Sequence, residues 1–217
     1  MSLPKACIFD LDGVIVDTVD AHYKAWKTMA DELGVPFTME DNEHLKGVSR
    51  VDSMSRILAL GEIEKTEEEL MDYTRRKNDI YLEIISKMTP DDILVGVKDF
   101  IQLLIDNGVE VALGSSSKNT PTILKAVGLD KTFKAVVDGN QVTHSKPHPE
   151  VFLKGAERLG FEPKDCVVFE DAISGVEAAK RAGMKCIGVG EAEVLFDADL
   201  VVPDLSNINL DTLRHLP

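Results

Sequence analysis

The first sustained apolar run in the chain is short: Ala6-Cys7-Ile8-Phe9, which stops at Asp10. Five more short runs follow at wide intervals: VEVAL (109–113), AVVD (135–138), CVVF (166–169), KCIGV (185–189) and DLVV (199–202). Apolarity at successive rather than alternate positions is the mark of strands covered on both faces, as in a parallel sheet. Between these runs the apolar residues fall three and four apart. Over residues 97–107 that spacing puts Phe100, Ile101, Leu104 and Ile105 on one helical face, and the pattern ends before Gly108. Residues 120–127, 149–159 and 174–182 end in the same way at Gly128, Gly160 and Gly183. Glycine most readily takes the left-handed conformation that closes a helix. Alternating strands and helices predict an α/β fold, a Rossmann-like doubly wound core around a parallel sheet.

One region breaks the alternation. From about residue 19 to 88, AHYKAWKTMADELG, DNEHL, VDSMSRILALG and TEEELMDYTRRKNDIYLEIISK all carry helical spacing, and none reads as a strand. The expected organisation is therefore a catalytic core of residues 1–16 and 91–217 with an inserted helical cap of residues 17–90. Linkers are expected near 15–18 and 88–92. Glu67-Glu68-Glu69 falls where the last cap helix would begin, with Thr66 as its cap and the acids well placed against the helix dipole.

Composition narrows the partners. A net charge of −14 disfavours nucleic acid and anionic membranes, and implies that any bound anion sits in a locally basic pocket. No apolar run approaches the ~20 residues of a membrane span, and the first residues lack the apolar segment and cleavage site of a secretory signal. Cys7, Cys166 and Cys186 lie in separate apolar segments without CxxC spacing, which suits core packing in a reducing compartment rather than disulfides or zinc. A cytoplasmic protein is expected. Trp26 is expected to be a packing anchor, and His144, His148 and His215 are expected to be loop or surface residues.

Ligands of an open parallel sheet bind beyond the carboxyl ends of its strands. There the chain carries Asp10, Asp12 and Gly13, then Gly114-Ser115-Ser116-Ser117-Lys118-Asn119, then Lys146-Pro147, then Glu170-Asp171. Several carboxylates in one place need a counter-charge, and oxygen-only ligation favours a hard cation such as Mg²⁺. Asp10 can then act as a nucleophile on phosphorus, with Asp12 as the general acid and base. Ser115 and Lys146 can hold the oxygens of the transferring phosphoryl group. Each of these has an ordinary reading when taken alone. Asp-Gly is a common turn, Ser115 could cap a helix, Lys146 could be solvated, and Glu170 and Asp171 could cap the next helix.

In this order, DLDG after a first strand, Ser115, Lys146-Pro147 and Glu170-Asp171 resemble the four motifs of the haloacid dehalogenase superfamily. The resemblance covers the whole chain, and the helical insertion corresponds to that family's cap. It implies one Mg²⁺ per chain, held by Asp10, the backbone carbonyl of Asp12, and Glu170 and Asp171. Further stretches, LKGVSR (45–50), RKND (76–79) and SSSKN (115–119), together with His22, are similar to those of the family's sugar phosphomutases.

That similarity implies exchange of β-glucose 1-phosphate and glucose 6-phosphate through β-glucose 1,6-bisphosphate, which serves as intermediate and activator. It also implies a second anion site for the non-transferring phosphate, built from Arg50 of the cap and Ser117, Lys118 and Asn119 of the core, with Ser116 as a further substrate-binding candidate. Lys46, Gly47, His22 and Lys77 would contact the sugar or couple cap closure to Asp12. Ser116 and His148 depart from the family's pattern. A monomer acting on small hexose phosphates is expected. Two other readings remain open: a sugar-phosphate phosphatase of the same superfamily, and a non-catalytic sugar-phosphate-binding protein.

Overall fold

A computed structural model describes residues 2–217. Six parallel strands form one sheet: β1 Ala6–Phe9, β2 Glu110–Gly114, β3 Ala135–Val137, β4 Cys166–Glu170, β5 Lys185–Val189 and β6 Leu200–Val202. Their spatial order is β3-β2-β1-β4-β5-β6. The order reverses direction between β1 and β4, which is where a doubly wound sheet opens a crevice at its carboxyl edge. In that pair Phe9 lies opposite Phe169, so the next residues, Asp10 and Glu170, emerge side by side.

Both faces of the sheet are covered, and the side chains divide by the two-residue period of a strand. Cys7, Phe9, Val111, Leu113, Val167, Phe169, Ile187 and Val189 enter one core. Ala6, Ile8, Ala112, Cys166, Val168 and Cys186 enter the other. On the first face, helix α5 (Val97–Asp106) contributes Val97, Phe100, Ile101 and Leu104. The rings of Phe9 and Phe169 stack there at 4.7 Å. On the second face lie α7 (Glu150–Leu159) and α8 (Ile173–Arg181). Gly108, Gly128, Gly160 and Gly183 all have φ between 73° and 79°, as their places after helices predict. All three cysteines are buried and free.

The insertion holds four helices: α1 Val19–Glu32, α2 Met39–Glu43, α3 Arg50–Leu60 and α4 Glu67–Ile85. They enclose a small core of their own around Trp26, Phe37, Met54 and Ile57. Thr66 caps α4 in a reciprocal box with Glu69, so the acidic triplet belongs to the helix start. The two connections to the sheet domain run together: Val16 bridges Ile93, and the Leu94 N–H donates to the Ile15 carbonyl. The lower ends of α1 and α4 pack through Ala21, Ala25, Tyr81 and Ile85 into the first sheet core. Short helices α6 (Thr120–Ala126) and α9 (Leu210–Arg214) complete the chain. No helix among the described residues is long and apolar enough to cross a membrane.

Several sequence boundaries move by about a residue. The second strand runs one residue further than its apolar run, to Gly114, and the fourth takes in Glu170. Helix α9 went unpredicted because its five residues carry too little periodicity to register.

Candidate active site

Asp10 follows β1, its N–H donating to the Phe169 carbonyl of the neighbouring strand at 2.9 Å. Lys146 reaches in beneath it and donates to Asp10 Oδ1 and to Glu170 Oε1, 2.6 Å to each. The Glu170 side chain is fully buried, and its second oxygen accepts from the Ala172 N–H. Asp171 meets Lys46 of the cap at 3.2 Å. Asp10, Glu170 and Asp171 each offer a carboxylate oxygen within 4.8 Å of the others.

The balance of charge in this group is unfavourable. Burial lifts the Asp10 carboxyl well above the ordinary range, against the pull of Lys146. Burial and the neighbouring Glu170 push Asp171 up to about 7. An all-oxygen cluster that crowds negative charge beyond what Lys146 and Lys46 neutralise has the chemistry of a hard divalent-cation site.

Asp12 faces the other way, towards the cap. Its Oδ1 accepts from the Thr18 hydroxyl at 2.5 Å and from the Tyr81 hydroxyl at 3.4 Å, and lies 3.7 Å from His22 Nε2. Burial works against its charge, but the His22 and Thr18 contacts hold its carboxyl below the ordinary range. His22 Nδ1 lies 3.0 Å from the Lys77 ammonium. Burial and Arg50 pull Lys77 down to about 7. The Lys77 nitrogen sits 4.5 Å from the ring centres of both Trp26 and Tyr81.

A cleft between cap and core, with about 830 Å³ of free space including its open mouth, is lined by many of the sequence-predicted residues. Asp10, Asp12 and Asp171 line it, together with His22, Lys46, Gly47, Arg50 and Lys77 of the cap and Ser116, Ser117, Lys118 and Asn119 of the core. Ser115 and Lys146 are buried behind that lining. The Ser115 Oγ accepts the Ser117 N–H at 3.0 Å and so fixes the turn that presents Ser116 to Asn119. Glu170 likewise lies behind the surface. Lys118 is exposed at the cleft, and Trp26 is both a packing anchor and a lining residue.

Several contributions are absent from the sequence reading. Thr18 acts on Asp12 directly, beyond its place in a linker. Tyr81 reaches the same carboxylate, and its spacing of four from Lys77 on α4 was a signal that both share one face. Asn78 accepts from the Asn119 side-chain amide at 2.8 Å, tying cap to core. Two serine hydroxyls of the core donate to adjacent cap carbonyls: Ser116 to Gly47 at 3.1 Å and Ser174 to Lys46 at 3.3 Å. Contacts of this kind join residues far apart in sequence and leave no local pattern.

Comparison with known proteins places this geometry in context. Residues 7–189 match the model of the haloacid dehalogenase-like hydrolases. The chain is 42% identical to the β-phosphoglucomutase of Bacillus subtilis over 97% of its length and 94% of that protein's. It is 31% identical to a phosphorylated carbohydrates phosphatase of Thermotoga maritima, over 84% of this chain and 83% of the other. The solved structure of a Clostridium difficile β-phosphoglucomutase superimposes with a TM-score of 0.93 at 36% identity, covering 98% of this chain and 96% of that one.

Proposed function

The chain belongs to the haloacid dehalogenase-like hydrolase family, and from that premise we propose that it is a β-phosphoglucomutase. It interconverts β-D-glucose 1-phosphate and glucose 6-phosphate through β-glucose 1,6-bisphosphate. The observation that carries the reading is a single cleft lined both by the Asp10–Asp12 pair and by a second anion-binding set, Arg50 with Ser117, Lys118 and Asn119. A phosphatase, whose acceptor is water, needs no site for a second phosphate. The protein acts as a monomer, each cleft being closed by the cap of its own chain. Residues 1–16 and 91–217 act as the catalytic core and 17–90 as the cap.

Asp10, Glu170 and Asp171, with the main-chain carbonyl of Asp12, would hold one Mg²⁺ per chain. When bound, the ion neutralises the clustered carboxylates and the phosphoryl oxygens. An Asp10 carboxylate oxygen attacks phosphorus, and the bond from phosphorus to the sugar oxygen breaks, leaving an aspartyl-phosphate. Asp12, whose carboxyl is held below the ordinary range, gives the departing sugar oxygen the proton that it takes from the acceptor hydroxyl in the other half of the cycle. In the reverse sense it takes a proton from the acceptor hydroxyl as the phosphoryl group returns to a sugar. Lys146 and the Ser115 hydroxyl offset charge on the transferring group.

Arg50 and the Ser117–Asn119 turn grip the distal phosphate from opposite domains. Its binding therefore favours the closed form, which excludes water. Ser116, Gly47, Lys46, His22 and Lys77 complete the closed cleft around the sugar.

The test is a coupled assay with β-glucose 1-phosphate, Mg²⁺ and a trace of bisphosphate. Glucose 6-phosphate is the expected product. Inorganic phosphate as the main product would make the protein a sugar-phosphate phosphatase, in line with its 31% identity to one. Asp10→Asn should remove turnover; full turnover in that variant sinks the covalent mechanism.

A further inference from the structure

Outside the catalytic cleft, two histidines and a glutamate converge on the loop that delivers Lys146. His144, His148 and Glu150 each offer a ligand atom within 4.8 Å of the others, and none of the three lines the cleft. We propose that they form a second metal site, one that takes a transition ion of the Zn²⁺ class.

The geometry fits such an ion at the closest pair. His144 Nδ1 lies 3.2 Å from Glu150 Oε2. Two ligands each ~2.0–2.1 Å from a tetrahedral ion stand about 3.3 Å apart. The ring centres of His144 and His148 are 4.5 Å apart at a tilt of 30°. His148 turns its Nδ1 inward, where it meets the Glu150 N–H at 3.3 Å. Both imidazoles thus present Nδ1 to the cluster. An ion bound there would replace the His144–Glu150 contact and the bond from the Glu150 N–H to His148 with its own bonds to the two ring nitrogens.

The carboxylate is held in place beforehand. The N–H groups of Thr143 and His144 donate to Glu150 Oε2 at 3.0 and 2.8 Å, and the Lys154 ammonium donates to Oε1 at 2.6 Å. Outer hydrogen bonds of this kind orient a ligand before the ion arrives. Lys154 also spends part of the carboxylate's charge, so the imidazoles supply most of the affinity and water completes the coordination.

Ligand chemistry separates this site from the first. Two imidazoles and one carboxylate select zinc, nickel or copper, whereas the all-carboxylate cluster of Asp10, Glu170 and Asp171 selects magnesium. A chelate between residues 144 and 148 would also fasten the segment carrying Lys146, whose ammonium bridges Asp10 and Glu170. Occupancy therefore bears on how firmly that lysine is presented.

The experiment is calorimetric titration of Zn²⁺ into the Mg²⁺-saturated protein. One ion per chain is expected with micromolar affinity. His144→Ala and His148→Ala, both at solvent-facing positions, should each weaken binding at least tenfold while keeping the wild-type melting temperature in metal-free buffer. Co²⁺ used in place of Zn²⁺ should give a tetrahedral visible absorption band that the double variant lacks. Absence of Zn²⁺ binding, a loss below tenfold in either variant, or a cobalt band that survives in the double variant overturns the proposal.

Discussion

Gly13 shows how little freedom single positions in the site have. Its φ is +83°, and a β-carbon there would lie 2.1 Å from Asp171 Oδ2. Gly13→Ala should therefore displace either the turn or the acidic cluster, lowering turnover and Mg²⁺ affinity by at least about tenfold. Wild-type Mg²⁺ binding in calorimetry would refute this. At Tyr81 the prediction is finer. Its hydroxyl faces Asp12 at 3.4 Å, and a donor to the charged form of a carboxylate lowers its pKa. Tyr81→Phe should cost roughly three- to tenfold in kcat, about the worth of one hydrogen bond. It should also move the acidic limb of the pH–rate profile upward, and an unmoved limb would show that the contact is only packing. Asp10, Lys146 and Asp171 were legible in the sequence because each directly follows a strand or stands before a proline, and Asp12 because it lies two residues beyond Asp10 in the same turn. Tyr81 and Thr18 were not, since aromatic and hydroxyl residues on an amphipathic helix or in a linker have ordinary packing and capping roles.

Among the elements, the proposed preference for a sugar acceptor over water would rest on the contact between cap and core. Helices α1 and α4 root the cap in the first sheet core, and the far side of the cleft is joined by polar contacts only a few atoms wide. The adjacent carbonyls of Lys46 and Gly47 accept from Ser174 and Ser116, and Asn78 meets Asn119. Each such bond contributes about 0.5–1.5 kcal/mol net. The double variant Ser116→Ala, Ser174→Ala should therefore favour the open form and admit water. Hydrolysis should rise several-fold relative to mutase flux, measured as inorganic phosphate against glucose 6-phosphate, and an unchanged ratio would show that the serines do not latch the cap. Arg50→Ala acts on the same closure through the substrate. It should reduce mutase turnover about a hundredfold while leaving hydrolysis of a small phosphomonoester within threefold, since buried charge-assisted contacts to phosphate are worth a few kcal/mol. Equal losses would remove the distal-phosphate assignment.

At the scale of the molecule, the acidic cluster couples metal, pH and stability. Asp171 is raised from an ordinary 3.8 to about 7, so in metal-free protein the folded chain holds a proton that the unfolded chain releases between those values. Stability from this group is present at low pH and is lost as pH rises through that window. A Mg²⁺ ion held by the cluster would bind the deprotonated form and offset the loss. Calorimetric melting should show a larger Mg²⁺-induced rise in Tm at pH 8 than at pH 5.5, and equal rises would mean that Asp171 is not part of the metal site. The sequence by itself determined the longer elements and pointed to the chemistry. Short apolar runs bounded by polar residues suit strands buried on both faces, helical spacing followed by glycine suits a helix that ends there, and clustered carboxylates at strand ends call for a counter-charge. What only the tertiary structure decided is which of these meet. The strand order puts Asp10 beside Glu170, the folding-over of the cap turns Asp12 towards His22, Thr18 and Tyr81, and the turn leading into α7 gathers His144, His148 and Glu150. Local pattern encodes local conformation; contacts across long stretches of chain depend on packing the whole.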